Sequence, residues 1–335
     1  VNNMVAMFNN TGAFNQPIGN WDVSSVTSMV SMFKNALLFN QDLSNWCVSN
    51  ISSIPANFDD FSPLASNTNL QPKWGTCPTG ISTPQGAGTV SNPYLISTLG
   101  ELRWISQDSN RWGLVYKQTA NINADPSINF NNGAGIIPIG NTSTAFTGKY
   151  DGQGFWIDDL HINRRSSNEI GLFGVVTDGQ ITNVRMYDAS IFGSTRVGAL
   201  AGDVQNSSTI ENITVMESSV TGSITVGGVI GRISNSIDTL SYLAFSGTVS
   251  GVVTSGTGQN IGGVIGKMQN NTLLNKSYFN GQVSGRTSVG GIVGKSTSTS
   301  FVYNSYSRGF ILEDGFGSNG GAGGIFGNPQ SSIAS

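Results

Sequence analysis

Short apolar pairs bracketed by glycines recur through the C-terminal part of this chain. Between them, short β-prone apolar runs are separated by Asn, Ser and Gly, with about three runs in each interval. The final glycines of the motifs are 28, 29, 35, 28 and 33 residues apart, a period typical of one structural unit stacked on copies of itself. The six motifs are Gly171-Leu172-Phe173-Gly174, Gly198-Ala199-Leu200-Ala201-Gly202, Gly228-Val229-Ile230-Gly231, Gly263-Val264-Ile265-Gly266, Gly291-Ile292-Val293-Gly294 and Gly324-Ile325-Phe326-Gly327.

The repeat predicts a mainly β fold, a parallel β-solenoid of about six 28-residue coils. Each coil is expected to place its glycines where the backbone turns sharply and stacks closely on its neighbours. The apolar pair is expected to lie in the internal core. A β-propeller is less favoured, because its blades need a longer repeat of roughly 40–50 residues.

A second repeat, with a period of 25 residues, begins the chain. Val26, Met29 and Met32 have the spacing of one helical face, so the pattern predicts a short helix beginning near Ser24 or Ser25. We interpret its Met and aromatic stripe as core rather than as a ligand groove. The paired landmarks are Val1-Asn2-Asn3-Met4 with Val26-Thr27-Ser28-Met29, Met7-Phe8 with Met32-Phe33, Phe14-Asn15-Gln16 with Phe39-Asn40-Gln41, and Asn20-Trp21 with Asn45-Trp46.

These landmarks resemble the BspA-like repeat of bacterial surface proteins, whose pattern runs V..M..MF, then FNQ, then NWDVS. The likeness covers about residues 1–80, and the second copy departs from it where Cys47 replaces Asp22. The family implies a small α+β solenoid related to leucine-rich repeats, displayed on the cell surface for adhesion.

Cys47 and Cys77 are the only cysteines of the sequence. An exported protein would be expected to join them in a disulfide worth roughly 3–4 kcal/mol, whereas a cytosolic protein would keep two thiols. Two cysteines and the distant His161 cannot complete a tetrahedral metal site. Residues 72–78 resemble the cap that ends BspA-like arrays, which implies that a disulfide between Cys47 and Cys77 pins the cap to the last repeat.

Residues 80–93 are rich in Gly, Pro, Ser and Thr and predict a linker. Thr98 and Glu101 then fit a capping box, with Leu99, Leu102 and Ile105 on one helical face. A short helix is therefore expected to cover the first edge of the solenoid. The predicted domains are residues 1–80, a lead-in over 81–170 and the solenoid over 171–335.

The region from about residue 81 to the end resembles bacterial GLUG-motif surface proteins. The order of its motifs carries the likeness, because each Gly-x-x-Gly is common by itself; the second copy is one residue longer between its glycines. The family implies a secreted or surface-anchored protein, often an adhesin. The lead-in motifs are Asn92-Pro93-Tyr94-Leu95-Ile96-Ser97, Pro138-Ile139-Gly140 and Phe146-Thr147-Gly148-Lys149-Tyr150-Asp151-Gly152-Gln153-Gly154.

Composition narrows the class of protein further. Only 10% of residues are charged, so Asn, Ser, Thr and Gln must supply the polar surface, as in extracellular β-rich proteins. The net charge of −3 gives no support for nucleic-acid binding, and no run of about 18 apolar residues predicts a membrane span. Because the chain starts with Val1 inside a repeat, we interpret it as a segment of a larger, processed protein.

Two long intervals, about residues 252–260 and 314–321, leave the aligned repeat at the same corner. Insertions in repeat proteins map to loops on one face, which is often the binding face. The hypothesis is that this corner binds a cell-surface glycan or a protein; the alternative is tolerated loop drift on an inert solenoid. The candidate residues are Arg164, Arg165, Arg196, Thr254, Gln259, Arg286, Asp314 and Asn319.

Parallel β-helices also carry polysaccharide lyases and hydrolases, and a glycosidase needs two carboxylates about 5–10 Å apart. The acids near His161 could supply a pair, but Asp151 lies in a turn where a carboxylate usually bonds backbone amides, and later coils lack matching acids. We therefore predict no catalytic residue, cofactor or metal, and interpret His161 as a surface or packing residue. The acids concerned are Asp151, Asp158, Asp159, Glu169, Asp178 and Asp188.

Two further alternatives rest on short patterns. Asn121, Asn123 and Asp125 alternate on one predicted strand face and could contribute to a Ca²⁺ site, although the Gly and Glu of an EF-hand loop are absent. A recurring threonine at 209, 239 and 272 gives rows too short for a regular ice-binding ladder.

The sequence thus predicts a non-enzymatic, extracellular or cell-surface bacterial protein of the adhesin type. A structural spacer without a ligand competes with this prediction, and a glycan-active enzyme on a β-helix is the further alternative. Assembly into an oligomeric fibre stays open.

Overall fold

A computed structural model describes the chain except residues 20, 22, 24, 25, 45, 77–80, 235–238, 253–257, 271, 298–299, 314–321, 330–331 and 335. The chain divides into two compact units, Val1–Ile81 (unit 1) and Ser82–Ser335 (unit 2). Each unit has its own hydrophobic core.

Unit 1 stacks its repeats through backbone hydrogen bonds from alternate residues. Between these residues, the intervening amides bond three residues back, as Met7 N does to the Met4 carbonyl. Within the described residues, the helices of unit 1 are two short 3-10 helices, Pro63–Ser66 and Thr68–Leu70. The bonds between the first two repeats run from Met4 N to Ser28 O, from Ala6 N to Val30 O and from Phe8 N to Met32 O, each 2.9 Å long.

The predicted helix over residues 26–33 is wrong. Ser31 has a left-handed φ of 55°, and its amide bonds Ala56 of the following coil instead of a carbonyl four residues back. The stripe itself was interpreted correctly, because Val26, Met29 and Met32 are all fully buried. A chain of turns closed every three residues gives the same spacing of buried positions as a helix does. Ser24 and Ser25, the expected caps, lie outside the described residues.

Aromatic rings stack between the coils of unit 1. Phe8 lies 5.5 Å from Phe33 and Phe14 lies 5.7 Å from Phe39, centroid to centroid. Phe58 extends this aromatic column with its ring perpendicular to that of Phe33, 5.4 Å away, and thereby marks a third coil. The sequence missed this coil because the Met, Asn and Gln landmarks are not repeated there.

The disulfide stays a prediction. Cys47 is buried, whereas Cys77 lies outside the described residues. The backbone beside them does meet, since Val48 N donates to Thr76 O over 2.9 Å. The segment leading to Cys77 therefore packs on the second coil of unit 1.

Unit 2 opens with the predicted capped helix, α1 (Leu99–Ser106), whose capping box between Thr98 and Glu101 is present. Leu102 and Ile105 are fully buried in the core of the unit. The residues predicted as a linker belong largely to unit 2, where Gln85 bridges Leu95. Two 3-10 helices, Ser109–Arg111 and Asp125–Asn129, follow α1.

The described strands of unit 2 form three parallel sheets of 17, six and five strands, apart from isolated bridges. Strands of the lead-in are β1 (Tyr94–Ile96), β2 (Val115–Gln118), β3 (Ile122–Asn123), β4 (Lys149–Asp151), β5 (Trp156–Asp158) and β6 (His161–Asn163). Strands of the repeats are β7 (Phe173–Thr177), β8 (Gln180–Thr182), β9 (Arg185–Tyr187), β10 (Ser190–Phe192), β11 (Thr195–Val197), β12 (Ala201–Gln205), β13 (Thr209–Gly222), β14 (Ile224–Gly227), β15 (Ile230–Ser234), β16 (Thr239–Gly251), β17 (Gln259–Gly262), β18 (Ile265–Gln269), β19 (Leu273–Asn275), β20 (Tyr278–Gly285), β21 (Thr287–Gly290), β22 (Val293–Thr297), β23 (Ser300–Tyr303), β24 (Tyr306–Ser307), β25 (Phe310–Glu313), β26 (Ala322–Gly323), β27 (Phe326–Pro329) and β28 (Ser332–Ala334).

The predicted mainly β fold with a parallel β-solenoid is confirmed. The second sheet (β7, β12, β15, β18, β22, β27) gains one strand per repeat, and these strands bound about five turns. The third sheet (β11, β14, β17, β21, β26) precedes it in each turn, and the remaining strands form the first sheet. The division of the chain at residues 80 and 170 stays a prediction; β6 and β10, on either side of residue 170, share one ladder.

The glycine motifs join the third sheet to the second. An added methyl group at Gly263 would overlap the Gly291 carbonyl oxygen and the Phe279 ring, so only glycine fits this contact with the next coil. The apolar pair contributes to the core, as predicted. Its fully buried members are Leu172, Phe173, Leu200, Ala201, Val229, Ile230, Val264, Ile265, Ile292 and Val293.

Candidate functional site

The strand register places the two long insertions at one corner, between the first and third sheets. Gly222 pairs with Gly251 and Gly285 pairs with Glu313, immediately before the insertions begin. The stack resumes at Gly258, whose amide bonds Ser223 of the preceding coil. Six residues, 252–257, thus separate Gly251 from Gly258, although both glycines keep their places in the stack. We call this edge the insertion corner.

A smaller insertion at the same corner was missed in the sequence. Arg164 N bonds Phe192 O, and Ser194 N bonds Ser167 O, each over 2.8 Å. The coil that contains Arg164 therefore has two extra residues, 165 and 166, beside the neighbouring coil. A two-residue change is invisible in the glycine spacing, because it precedes the first motif.

Arg164 and Arg165 line one open cavity of about 400 Å³ at the insertion corner. The Arg164 guanidinium donates to the Ile136 carbonyl over 3.1 Å, and burial lowers its pKa. Arg165 is exposed and lies over the Phe192 ring, 4.4 Å from the centroid. Arg165 can therefore meet a ligand without losing a structural contact to backbone. The lining residues are Ala134, Asn163, Arg164, Arg165, Ser166 and Ser167.

Arg196 belongs to a column of left-handed residues that runs along the third sheet. It forms an ion pair with Glu169 of the preceding coil. Burial lowers the pKa of Arg196, and the nearby Arg232 adds to this effect. The ion pair engages one end of the guanidinium, whereas its Nε is buried without a hydrogen-bond partner among the described residues. The column consists of Glu169 (φ 53°), Arg196 (59°), Thr225 (62°), Asn260 (58°) and Ser288 (57°).

Of the other candidate residues, Gln259 and Arg286 lie along the insertion corner, away from the cavity. Gln259 begins β17, and Arg286 N bonds the Gly258 carbonyl over 2.6 Å. Thr254, Asp314 and Asn319 lie outside the described residues. Because parallel strands are about 4.8 Å apart, Arg286 lies about 19 Å along the stack from Arg165.

Three of the carboxylates near His161, those of Asp151, Glu169 and Asp178, make local contacts. Asp151 Oδ1 accepts from Gln153 N over 3.0 Å, which is the turn role predicted for it. Burial raises the pKa of Asp158. His161 is half-buried in β6, where its amide donates to Ser127 Oγ. These contacts give the catalytic alternative no support.

The alternative Ca²⁺ and ice-binding patterns also place their side chains in structural contacts. Asn121 Oδ1 accepts from Trp156 N, and Asn123 Oδ1 accepts from Asp125 N, each over 2.9 Å. Thr272 is fully buried, so it does not face solvent in a threonine ladder. In the described ranges, no three His, Cys, Asp or Glu side chains form a metal-binding group.

A row of charged side chains in the second sheet was missed as well. The register aligns Asp203, Arg232, Lys267 and Lys295 on β12, β15, β18 and β22. A signal existed in the sequence, because each of the three cations directly follows the final glycine of its motif. We call these three cations the basic row.

Comparison with known proteins finds likenesses to parts of the chain. The family model DUF285, described as a Mycoplasma protein of unknown function, matches residues 1–77. "Halomucin" of Haloquadratum walsbyi is 39% identical over 120 residues, and a "Putative Gly-rich membrane protein" of Evansella cellulosilytica is 34% identical over 125 residues. Each match covers 35% of this chain, but only 1% and 14% of these relatives.

One solved structure was also found by comparison of the folds. The crystal structure of a "putative immunoglobulin A1 protease" from Bacteroides ovatus has a TM-score of 0.45 and 21% sequence identity, over 75% of this chain and 66% of that chain. Within the described residues, no helix has the length and apolar character needed to cross a bilayer.

Proposed function

We propose that this chain is part of a non-enzymatic, bacterial cell-surface or extracellular protein of the adhesin type. Its role is to present a binding surface to another cell, a glycan or a matrix. The proposal includes the BspA-like likeness of about residues 1–80 and the GLUG likeness of the region that follows. The DUF285 match over residues 1–77 supports the first of these two likenesses. The names of the two sequence relatives support a surface or extracellular location.

The insertion corner carries the proposal. Two long insertions and the short one at residues 165–166 fall at this one edge of the repeat, and the ladders that flank residues 253–257 are formed on both sides. Because the stack does not need these residues, their placement at one edge favours a role outside the stack. The cavity beside Arg165 supplies a cation with free hydrogen-bonding capacity for an anionic or polyhydroxyl ligand. Thr254, Gln259, Arg286, Asp314 and Asn319 extend the proposed surface along the same edge.

The experiment uses the whole chain and a panel of immobilised polysaccharides, with retention and product release both measured. We expect retention without turnover, and a loss of at least tenfold in affinity for Arg165→Gln. The matched control is Arg185→Gln, which removes the same charge from an exposed position on the first sheet. Turnover of a polysaccharide would establish the enzyme alternative, and absence of retention would establish the spacer. Equal losses of affinity in Arg165→Gln and Arg185→Gln would contradict the assignment of binding to the insertion corner.

A further inference from the structure

The solvent side of the second sheet carries two parallel rows of polar side chains. In β15, β18 and β22, the third and fifth residues are half-buried, whereas the fourth is buried. Residues two apart lie on the same side of a strand, so the third and fifth residues share one face. The third residues are the basic row, Arg232, Lys267 and Lys295.

The charge of the basic row is compensated at one end only. Arg232 Nε donates to Asp203 Oδ1 over 2.9 Å, and Asp203 is buried with 1% exposure. Within the described part of the chain, neither Lys267 nor Lys295 has a carboxylate within ion-pair distance. Burial lowers the pKa of Lys267, and Lys295 and Arg232 lower it further. Stacked cations repel each other, and an added anion would relieve that repulsion.

The row beside the cations consists of amide and hydroxyl groups. Gln205 pairs with Ser234, and Gln269 pairs with Thr297, in the register of the sheet. Each of these four side chains is half-buried and so reaches solvent. Neutral donors and acceptors next to a line of cations suit a ligand that has hydroxyl groups as well as negative charges.

We infer that the basic row and the neighbouring amide and hydroxyl row bind an acidic polysaccharide that lies along the solenoid axis. The strands repeat about every 4.8 Å, so the three cations span about 10 Å, enough to meet successive charges of a linear polymer. A nucleic acid fits less well, because both rows lack aromatic side chains on which bases could stack. The inference depends on the proposed function in one respect, since a protein at the cell surface or outside the cell is one that meets such a polymer.

The test measures binding of the whole chain to alginate, a polymer of uronic acids, by calorimetry at two salt concentrations. We expect binding that weakens with salt, no binding to neutral dextran, and a loss of at least tenfold in the double variant Lys267→Gln, Lys295→Gln. The double variant Lys267→Arg, Lys295→Arg keeps both positive charges and should bind alginate as tightly as the unmodified chain. The control is Lys117→Gln with Lys149→Gln, which removes two charges from exposed positions of the first sheet.

A second measurement avoids variants altogether. Bound alginate should protect Lys267 and Lys295 of the unmodified protein from acetylation, read by mass spectrometry, and leave Lys117 reactive. The inference is overturned if the Lys267→Gln, Lys295→Gln variant and the Lys117→Gln, Lys149→Gln control lose affinity equally. It is also overturned if dextran binds as well as alginate, or if single-stranded DNA binds more tightly than alginate. Equal affinity for free glucuronate would also overturn it, as that would show a small-anion site. An alginate affinity that falls as far in Arg165→Gln as in the Lys267→Gln, Lys295→Gln variant would also overturn the inference, because it would place the binding at the insertion corner.

Discussion

Units 1 and 2 both stack one coil per repeat, but they join their coils differently. Unit 1 links coils with hydrogen bonds from alternate residues and fills the space between them with stacked phenylalanines. Unit 2 links coils with continuous parallel ladders and uses glycines where two coils meet most closely. A fixed sequence period therefore establishes stacking, but the residues at the coil contact determine what kind of stacking it is.

If unit 1 depends on its aromatic column, truncating the central ring should have the largest effect. Phe33 is fully buried and lies 4.0 Å from Phe39, so we expect Phe33→Ala to lower the free energy of unfolding of unit 1 by about 3–5 kcal/mol. Hydrogen exchange resolved by peptide measures this loss in residues 1–81 and should show no change in unit 2.

Phe8 supplies the matched control, because it occupies the same repeat position but is only half-buried. Phe8→Ala should cost clearly less than Phe33→Ala. Equal losses in the two variants would show that the column is not centred on Phe33, and loss of protection in unit 2 would contradict the independence of the two cores.

If unit 2 depends on close glycine contacts, one methyl group should destabilise it. Gly263→Ala overlaps the Gly291 carbonyl oxygen, so we expect a loss of about 1–3 kcal/mol in unit 2, measured by denaturant unfolding. Gly324→Ala, at the same motif position, meets no atom within 4 Å and should be nearly neutral. A similar loss in both variants would mean that the glycines act through chain flexibility rather than through contact.

The smallest expected effect concerns one partly or fully buried carboxyl in each unit. Burial raises the pKa of Asp158 in unit 2 and that of Asp59 in unit 1, but Gln71 donates a 2.7 Å hydrogen bond to Asp59 and opposes the shift. A raised folded-state pKa means that the native state binds the proton more tightly than the unfolded state, so stability falls as the pH rises through it.

Asp158→Asn should therefore flatten the decline in the stability of unit 2 as the pH rises from the acid range towards neutrality. Unfolding curves at a series of pH values measure how the stability of each unit changes with pH in the unmodified chain and in Asp158→Asn. The same curves for Asp59→Asn give the corresponding change for unit 1. A steeper decline in Asp158→Asn than in the unmodified chain would contradict the assignment.

Burial was easier to predict from the sequence than backbone conformation. Met29 and Met32 are buried as their spacing indicates, because any stacked coil must hide the same apolar positions. The helix was wrong because its spacing is shared by chains of turns, and nothing in the sequence marks Ser31 as left-handed. The left-handed backbone of Glu169, Arg196 and Thr225 was not predictable either, because contacts with neighbouring coils, rather than residue type, fix it.

The candidate site was predictable in place but not in detail. Glycine spacing located the insertion corner, since a change in spacing is visible without coordinates. The spacing could not show that Arg164 bonds a backbone carbonyl or that Arg196 pairs with Glu169. The basic row needed the register of the second sheet, because its members are 28 to 35 residues apart in sequence.

The return of residue 258 to its place in the stack has a practical consequence for protein engineering. The ladders on both sides of residues 252–257 keep their register, so foreign peptides can be grafted at this edge in place of the native segment. Doubling the length of a flexible loop costs only about 0.6 kcal/mol in closure entropy, little compared with the stability of a typical domain. Peptides grafted at this edge in several coils would then lie in line, with neighbouring coils about 4.8 Å apart.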